Sequence, residues 1–295
     1  MSRFYKELLA NTAFQGYDFE YLFVDDGSDD GSAGILDNFA ADARVKVIHF
    51  SRNFGHEAAM IAGIDHASGD AVICMDADCQ NPPRVIKDML DAFAGGNDIV
   101  AMVRTDRADG GVCKHLASRA FYGLINRLSD TQLQPNVSDF FLLSRRVCDL
   151  LRRDYRERTR FLRGFVQTVG FRMVSLPYSA PQRPAGKSHY GLRKLLGFAF
   201  TSIASFSKAP LKLGIYGGAL FGLISLALIV YSIVMWIVDR PVDGYTTIII
   251  FLSAFAAILL CVVGIIGYYV GCILDEVKGR PIYIVERVEN GRSKS

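Results

Sequence analysis

Two aspartates, Asp76 and Asp78, stand one residue apart in the stretch VICMDADCQNPPR, directly after the apolar run 72–75. That run is typical of a buried strand, and residues two apart on a strand share one face. Carboxylates so close together raise each other's pKa unless a cation lies between them. Hard cations such as Mg²⁺ and Mn²⁺ take carboxylate and amide oxygens, so Gln80 is a third candidate ligand. The spacing indicates a divalent-cation site, although a D-x-D pair alone also occurs in solvated turns and helix caps.

Alternating strands and helices are expected to position these residues at one edge of a sheet. Buried strands are predicted at 20–24, 45–50, 71–75 and 98–103, with helices at 32–43, 56–67 and 83–94. This alternation predicts an α/β domain with a mostly parallel sheet covered on both faces. Ligands of such sheets bind at the carboxyl ends of the strands. The polar loops VDDGSDDGS, SRNFG and DADCQ follow three of the strands, so we expect them on one rim.

Further elements are predicted outside this alternating region. An amphipathic helix opens the chain at 1–10. After residue 101 the patterns predict helices at 114–129 and 160–170 and a short strand at 140–144.

Two long apolar segments, 213–238 and 246–274, contain no charged residue. Each exceeds the roughly 20 residues that cross about 30 Å of hydrocarbon, so they predict a transmembrane hairpin. A buried helical hairpin of a soluble protein is the alternative. Lys and Arg are frequent on both outer flanks, whereas the connector 239–245 holds one basic residue. The positive-inside rule therefore predicts a multi-pass protein of the inner, cytoplasmic membrane with both termini in the cytoplasm.

Charge is distributed unevenly along the chain. Residues 1–150 carry 14 Lys and Arg against 22 Asp and Glu, whereas residues 151–212 carry 13 against 2. A basic block beside a membrane span indicates anionic lipid head groups or phosphates as partners. Nucleic acid is not expected, since no nucleic-acid motif accompanies the charge. Aromatic, Leu and basic residues mix over 189–212, which predicts interfacial helices, and 275–295 is predicted to be a cytoplasmic tail.

Ordinary roles are expected for the histidines and for a run of arginines. The histidines lack ligand spacing with Cys or with one another, which favours structural or surface roles. They are His49, His56, His66, His115 and His189. Most of the arginines are expected on a solvated surface that faces the membrane. They are Arg152, Arg153, Arg156, Arg158, Arg160 and Arg163.

Five motifs in order resemble those of a known enzyme family. They are FVDDGSDDGS, SRNFGHEAAMIAGIDHASGDAVICMDADCQNPP, NVSDFFLLSRR, RERTRFLRG and RPAGKSHY, followed by the two-span hairpin. The pattern resembles the polyprenyl-phosphate glycosyltransferases of glycosyltransferase family 2, in particular bactoprenol glucosyltransferases, which are related to dolichyl-phosphate mannose synthases. The resemblance covers nearly the whole chain. It implies a GT-A fold, an NDP-sugar donor such as UDP-glucose, Mg²⁺ or Mn²⁺, inversion at the sugar carbon and a polyprenyl phosphate acceptor.

The resemblance also implies which residues bind the donor and the metal. The nucleotide-sugar positions are Asp25, Asp26, Asn53 and Asp76. Asp25 and Asp26 correspond to contacts with the base and ribose of the nucleotide. Asp76 corresponds to a nucleotide or metal contact, and Asp78 and Gln80 correspond to metal ligands.

The acceptor side is implied by a second group of residues. Arg104 and Arg119 resemble arginines that hold the acceptor phosphate, and Arg183 and Lys187 resemble a mobile basic loop that closes over the phosphates. Asp139 in VSDFF corresponds to the acidic position proposed as catalytic. A phosphate monoester has a second pKa of about 6, so the acceptor is largely a dianion at neutral pH and hardly needs a base. We therefore expect Asp139 mainly to orient the acceptor or a sugar hydroxyl.

The start of the chain departs from the family pattern. Family members usually begin with a buried strand that ends in a P-x-Y-N-E-like loop, whereas MSRFYKELL resembles the helix after that loop. The expected glycosyltransferase domain, 1–188, thus lacks a first strand, which would expose backbone groups of its neighbours.

Other functions and assemblies stay open at this point. A non-catalytic membrane scaffold or nucleotide-sugar sensor derived from the family is the alternative function. A processive polysaccharide synthase is disfavoured, because Trp236, the one Trp of the chain, lies in an apolar segment and not in a Q-x-x-R-W motif. Glycines in the two spans permit either packing within one hairpin or a homo-oligomer.

Overall fold

The computed structural model describes residues 2–13, 16–105, 123, 134, 137–158, 161–179, 209–238 and 244–290. The helices are α1 (Ser2–Thr12), α2 (Ser32–Phe39), α3 (His56–His66), α4 (Ile86–Ala94), α5 (Arg145–Asp154), α6 (Leu162–Thr168), α7 (Ala209–Ile237) and α8 (Tyr245–Val277). The strands are β1 (Tyr21–Asp25), β2 (Val45–Phe50), β3 (Ala71–Cys74), β4 (Ile99–Arg104), β5 (Val137–Ser144), β6 (Met173–Tyr178) and β7 (Val285–Asn290). A 3-10 turn, Pro83–Val85, precedes α4.

These elements confirm the predicted α/β class but make the sheet more mixed than expected. One sheet has the order β1-β2-β7 and the other β3-β5-β4-β6. The pairs β1–β2 and β4–β6 are parallel, whereas β2–β7, β3–β5 and β4–β5 are antiparallel. Strand β5 separates β3 from β4, and its residues 140–143 are fully buried. Its direction could not be predicted, because local sequence does not specify which strands will pair.

Strands β1 and β3 each keep one edge without a described strand partner. Within the described residues, β1 pairs with β2 alone and β3 with β5 alone. Helix α3 packs against both strands.

Helix α1 is amphipathic, as predicted, and covers the first sheet. Phe4 and Leu8, four residues apart on one helix face, are buried in the same core as Tyr21 and Phe23 of β1. Burying a side chain of this size contributes about 1.5–3 kcal/mol relative to leaving it exposed. Helix α1 thereby packs against the amino-terminal half of β1.

The segment after α8 is part of the folded domain, contrary to the expected tail at 275–295. Strand β7 pairs with β2, and the Glu276 carboxylate accepts the Arg158 backbone N–H at 2.6 Å. The sequence VERVEN hid this strand, because Glu and Asn are depleted in strands and three of its six residues are charged.

Helices α7 and α8 contain the two predicted apolar spans. Within them, 216–235 and 254–277 are long and apolar enough to cross a membrane, and neither stretch is buried in the protein. The helices pack against each other, and a Cβ on Gly214 would lie 3.0 Å from Val262. Helix α7 already begins at Ala209, with Pro210 in its first turn, where proline is tolerated. The rest of the predicted interfacial segment 189–212, and nearly all of the predicted helix 114–129, lie outside the described residues.

Candidate functional site

Two of the three predicted rim loops are locked to each other. The Asp26 carboxylate accepts the backbone N–H of Phe54 at 2.6 Å and that of Gly55 at 2.9 Å. Gly27 has a φ of 67°, and a Cβ there would lie 2.5 Å from the carbonyl carbon of Arg52. Glycine is therefore required where the VDDGS loop meets the SRNFG loop. The prediction that these loops share one rim is confirmed.

Asp25 is buried beneath the VDDGS loop. Its carboxylate accepts the Ser28 N–H at 3.1 Å and lies 2.8 Å from Nδ1 of His49. Burial alone would raise the pKa of Asp25, but hydrogen bonds from Ser28 and His49 outweigh burial and lower that pKa. Both carboxylates of VDDGS, Asp25 and Asp26, thus hold protein groups, and nucleotide contact by either stays a prediction.

The DADCQ loop after β3 is a tight turn that reaches the end of β4. Asp78 Oδ1 accepts the Gln80 N–H at 2.9 Å, and Cys79 has a φ of 65°, in the left-handed region that non-glycine residues seldom occupy. Such strained backbone tends to occur at functional sites. Gln80 Oε1 accepts a hydrogen bond from Arg104 Nη2 at 2.8 Å. A residue expected to bind metal therefore contacts one expected to bind the acceptor phosphate.

Asp139 is held by two basic side chains, Arg163 and His56. Arg163 Nε lies 3.0 Å from Asp139 Oδ1, and Arg163 Nη2 contacts Oδ2, so the pair is bidentate. His56 Nε2 lies 3.6 Å from Asp139 Oδ2. Burial alone would raise the pKa of Asp139, but His56 and Arg163 hold it well below its usual range. Asp139 is therefore a firmly ionised carboxylate and a weak base.

His56 links Asp139 to Asp76. Its Nδ1 lies 3.7 Å from Asp76 Oδ1, and the nearby carboxylates of Asp139 and Asp76 raise the pKa of His56. The pKa of Asp76 is itself raised, first by burial and then by the charges of Asp78 and Asp139. Three carboxylates thus share one electrostatic environment, as the D-x-D spacing predicted for the first two.

Glu57 fixes the helix that carries Arg163. Its Oε2 accepts the Leu162 N–H, the first of α6, at 2.9 Å, and burial raises the pKa of Glu57. Arg163 is the next residue, so Glu57 determines where the partner of Asp139 lies.

The donor groups at the rim fit a divalent cation with open coordination positions. Asp76 and Asp78 offer the hard oxygen ligands that such ions prefer. No group of three His, Cys, Asp or Glu side chains within the described part of the chain could hold a metal ion. The protein side chains described here therefore do not form a closed cage.

Within the part of the chain that the structure describes, Arg104 and Asn81 each carry a buried donor that has no acceptor. Among the described residues, Arg104 Nε and Asn81 Nδ2 are buried without a hydrogen-bond partner. A buried donor without a partner costs about 1–3 kcal/mol, so an anion that reached either donor would be stabilised.

The structure brings together five of the eleven site residues predicted from sequence. Asp76, Asp78, Gln80, Arg104 and Asp139 meet at one rim. Asn53 lies exposed in the loop that Asp26 holds. The remaining candidates, Arg119, Arg183 and Lys187, lie outside the described residues.

His56, Glu57 and Arg163 were not predicted as site residues. His56 was expected in a structural or surface role and Arg163 on a solvated surface, whereas Glu57 carried no expectation; Asp139 and Arg163 are 24 positions apart in the sequence. The available signal was the position of His56 and Glu57 directly after the SRNFG rim loop.

Comparisons with known proteins point to one family. A family model described as Glycosyl transferase family 2 matches residues 2–151. The chain is 38% identical over 281 residues to the uncharacterized glycosyltransferase YkcC of Bacillus subtilis (strain 168), covering 93% of this chain and 86% of that protein. It is 36% identical over 290 residues to the SfII prophage-derived bactoprenol glucosyl transferase of Shigella flexneri, covering 98% and 94%. A solved structure, the mannosyltransferase PcManGT from Pyrobaculum calidifontis in complex with GDP-Man and Mn²⁺, is similar at a TM-score of 0.41 and 14% identity, covering 89% and 84%.

Proposed function

Because the chain belongs to glycosyltransferase family 2, we propose that it transfers one glucose from UDP-glucose to undecaprenyl phosphate, with inversion at the sugar carbon. The observation that carries this proposal is the meeting of the Asp76, Asp78 and Asp139 carboxylates with Arg104 at one rim. The names of the bactoprenol relatives support a lipid phosphate acceptor and glucose.

The donor half of the reaction needs charge neutralisation beside a leaving diphosphate. A bound Mg²⁺ or Mn²⁺ would supply a Lewis acid at Asp76 and Asp78 that neutralises this charge. The raised pKa of Asp76 supports this role, because burial and neighbouring carboxylates disfavour its charge until a cation is close. The locked VDDGS and SRNFG loops would bind the nucleotide.

The acceptor half needs positioning more than proton transfer. Arg104 has a buried Nε without a partner in the described residues, and its planar guanidinium suits a phosphate. Arg119, Arg183 and Lys187 would add positive charge around the same phosphates. Asp139, whose pKa is held low by His56 and Arg163, would orient the acceptor or a sugar hydroxyl and not remove a proton.

The two long apolar helices support a location in the membrane. Their outward side chains are strongly exposed, with Leu223 at 67% and Leu260 at 70%. Contact between so large an apolar surface and water is unfavourable, so this surface is expected to be covered by lipid. We propose that α7 and α8 span the cytoplasmic membrane, with the rim and both termini in the cytoplasm.

A non-catalytic scaffold or sensor is the second candidate. The edges of β1 and β3 that pair with no strand among the described residues favour it, because unpaired strand edges can pair with another chain. The two are separated by incubating membranes that contain the chain with undecaprenyl phosphate and radiolabelled UDP-glucose, with GDP-mannose and UDP-N-acetylglucosamine in parallel. We expect labelled lipid with UDP-glucose and none with GDP-mannose or UDP-N-acetylglucosamine. Nucleotide binding without labelled lipid from any donor would favour the sensor.

A further inference from the structure

The segment that follows α8 is linked by contacts to the VDDGS and SRNFG loops, which we propose bind the nucleotide donor. In the β2–β7 ladder Arg287 lies directly opposite His49. The Ser51 N–H, at the start of the SRNFG loop, donates to the Ile284 carbonyl at 3.0 Å. The Tyr283 ring stacks on Phe50, with ring centroids 5.0 Å apart. This segment is therefore in contact with the strand whose end carries the SRNFG loop.

A continuous chain of polar contacts runs from this segment to the VDDGS loop. Arg287 Nη2 lies 2.9 Å from Asp37 Oδ2, and Asp37 Oδ1 lies 2.9 Å from His49 Nε2. His49 Nδ1 lies 2.8 Å from Asp25 Oδ2, and the other Asp25 oxygen accepts the Ser28 N–H at 3.1 Å. The groups alternate between basic and acidic side chains, and every link is within hydrogen-bond distance.

The central side chains of this polar network are buried and cannot exchange their hydrogen-bond partners. His49 is 3% exposed and Asp25 is 5% exposed, so neither can exchange its partner for bulk water. Buried polar groups in such networks depend on one another, because each lost contact leaves a neighbour unsatisfied. Arg287 is at the accessible end, where its side chain is 40% exposed.

We infer that Arg287 is a positioning residue for the donor site, acting through Asp37 and His49 on Asp25 and the loop at Ser28. This inference rests on the proposed function in one respect, namely that the VDDGS loop binds the nucleotide. When Arg287 is replaced, Asp37 keeps, of its contacts with the described residues, only the one with His49, and the network relaxes away from Asp25. Donor affinity then falls, while the residues around Asp139 are untouched.

The test compares Arg287→Gln with Glu286→Gln, an exposed neighbour on the same strand, in the purified full-length protein in detergent. UDP and GDP binding is measured by titration calorimetry, and KM and kcat by sugar transfer. We expect Arg287→Gln to weaken binding of the preferred nucleotide and raise the donor KM about tenfold, with kcat within about twofold of wild type. Arg287→Lys, which keeps the charge but not the planar fork, should rescue part of the affinity. Glu286→Gln should match wild type.

Hydrogen exchange at the Ser28 amide gives a readout that needs no ligand. We expect faster exchange in Arg287→Gln than in Glu286→Gln, because the Asp25 acceptor is less firmly held. Unchanged exchange together with unchanged nucleotide affinity overturns the inference and leaves the proposed function standing. If the wild-type protein binds neither UDP nor GDP, the proposed function fails, and the exchange result still decides whether Arg287 positions the loop. Should Arg287→Gln fail to fold, Asp37→Asn, which removes the charge at the next link, replaces it in the same comparison.

Discussion

Replacing Arg163 by Gln removes the bidentate partner of Asp139 while leaving His56 in place. The Arg163 side chain is 26% exposed and that of Asp139 is 16% exposed, so the pair is largely but not fully buried. Breaking a buried ion pair costs about 3–5 kcal/mol, and solvent reduces this figure for a partly exposed pair to about 1–2 kcal/mol. The loss should lower the melting temperature by a few degrees.

Arg163→Gln should also lower kcat, because Asp139 loses the side chain that orients it. A displacement of about 1 Å in a positioning group can cost about 100-fold in rate, so we expect kcat to fall between about 10-fold and 100-fold. The pKa of Asp139 should rise from its lowered value, because Arg163, one of the two side chains that lower it, is gone. In wild type, kcat should show no acid limb from Asp139 between about pH 5 and about pH 8.

The assay is the transfer rate as a function of pH, with unfolding followed in the same detergent. Arg153→Gln is the control, because Arg153 is 78% exposed and pairs with the adjacent Asp154. A kcat for Arg163→Gln within twofold of wild type would refute the reasoning. An acid limb in wild type that Asp139→Asn removes would also refute it and restore a base role for Asp139.

Two further predictions concern stability. Gly27→Ala should destabilise the protein by about 1–3 kcal/mol in thermal unfolding, because Gly27 has a positive φ and the backbone of Arg52 lies where the new Cβ would be. Gly34→Ala is the control, because the space around Gly34 is open, and it should be neutral or stabilising. Equal effects of the two changes would contradict this prediction. Hydrogen bonds from Arg44 chiefly lower the pKa of Asp42 in the folded protein. The Arg44–Asp42 pair therefore stabilises the fold above about pH 4, which is the pKa of Asp in the unfolded chain, and this stabilisation is lost as the pH falls through the lower pKa of Asp42 in the folded protein. Arg44→Gln should therefore lower the melting temperature at pH 7 and converge on wild type in acid, and a pH-independent difference would count against it.

Local pattern was sufficient to predict the rim of this domain. The apolar runs before Asp25, Ser51 and Asp76 predicted strands, and their polar ends predicted loops on one edge, because the carboxyl ends of parallel strands meet there. The D-x-D pair predicted the acidic part of the site, because residues two apart on a strand share one face.

The remaining features depend on contacts between distant parts of the chain. The pairing of Asp139 with Arg163 and the antiparallel insertion of β5 follow from tertiary packing, which no local window contains. Strand β7 was missed because its charged residues carry little strand signal, although Arg287 and Glu289 are satisfied by partners in the folded protein. His56 has no metal-ligand spacing, and its place between two carboxylates emerges only when α3 meets β3 and β5.

Transfer of labelled glucose to undecaprenyl phosphate by wild type and Asp78→Asn, each with Mn²⁺ and with excess EDTA, tests the central claim most directly. We predict labelled lipid from wild type with Mn²⁺, and a loss of at least about 100-fold both in EDTA and in Asp78→Asn, since each removes charge neutralisation at the leaving diphosphate. Equal labelling by Asp78→Asn, or by wild type in EDTA, would contradict a metal-assisted transfer at this rim.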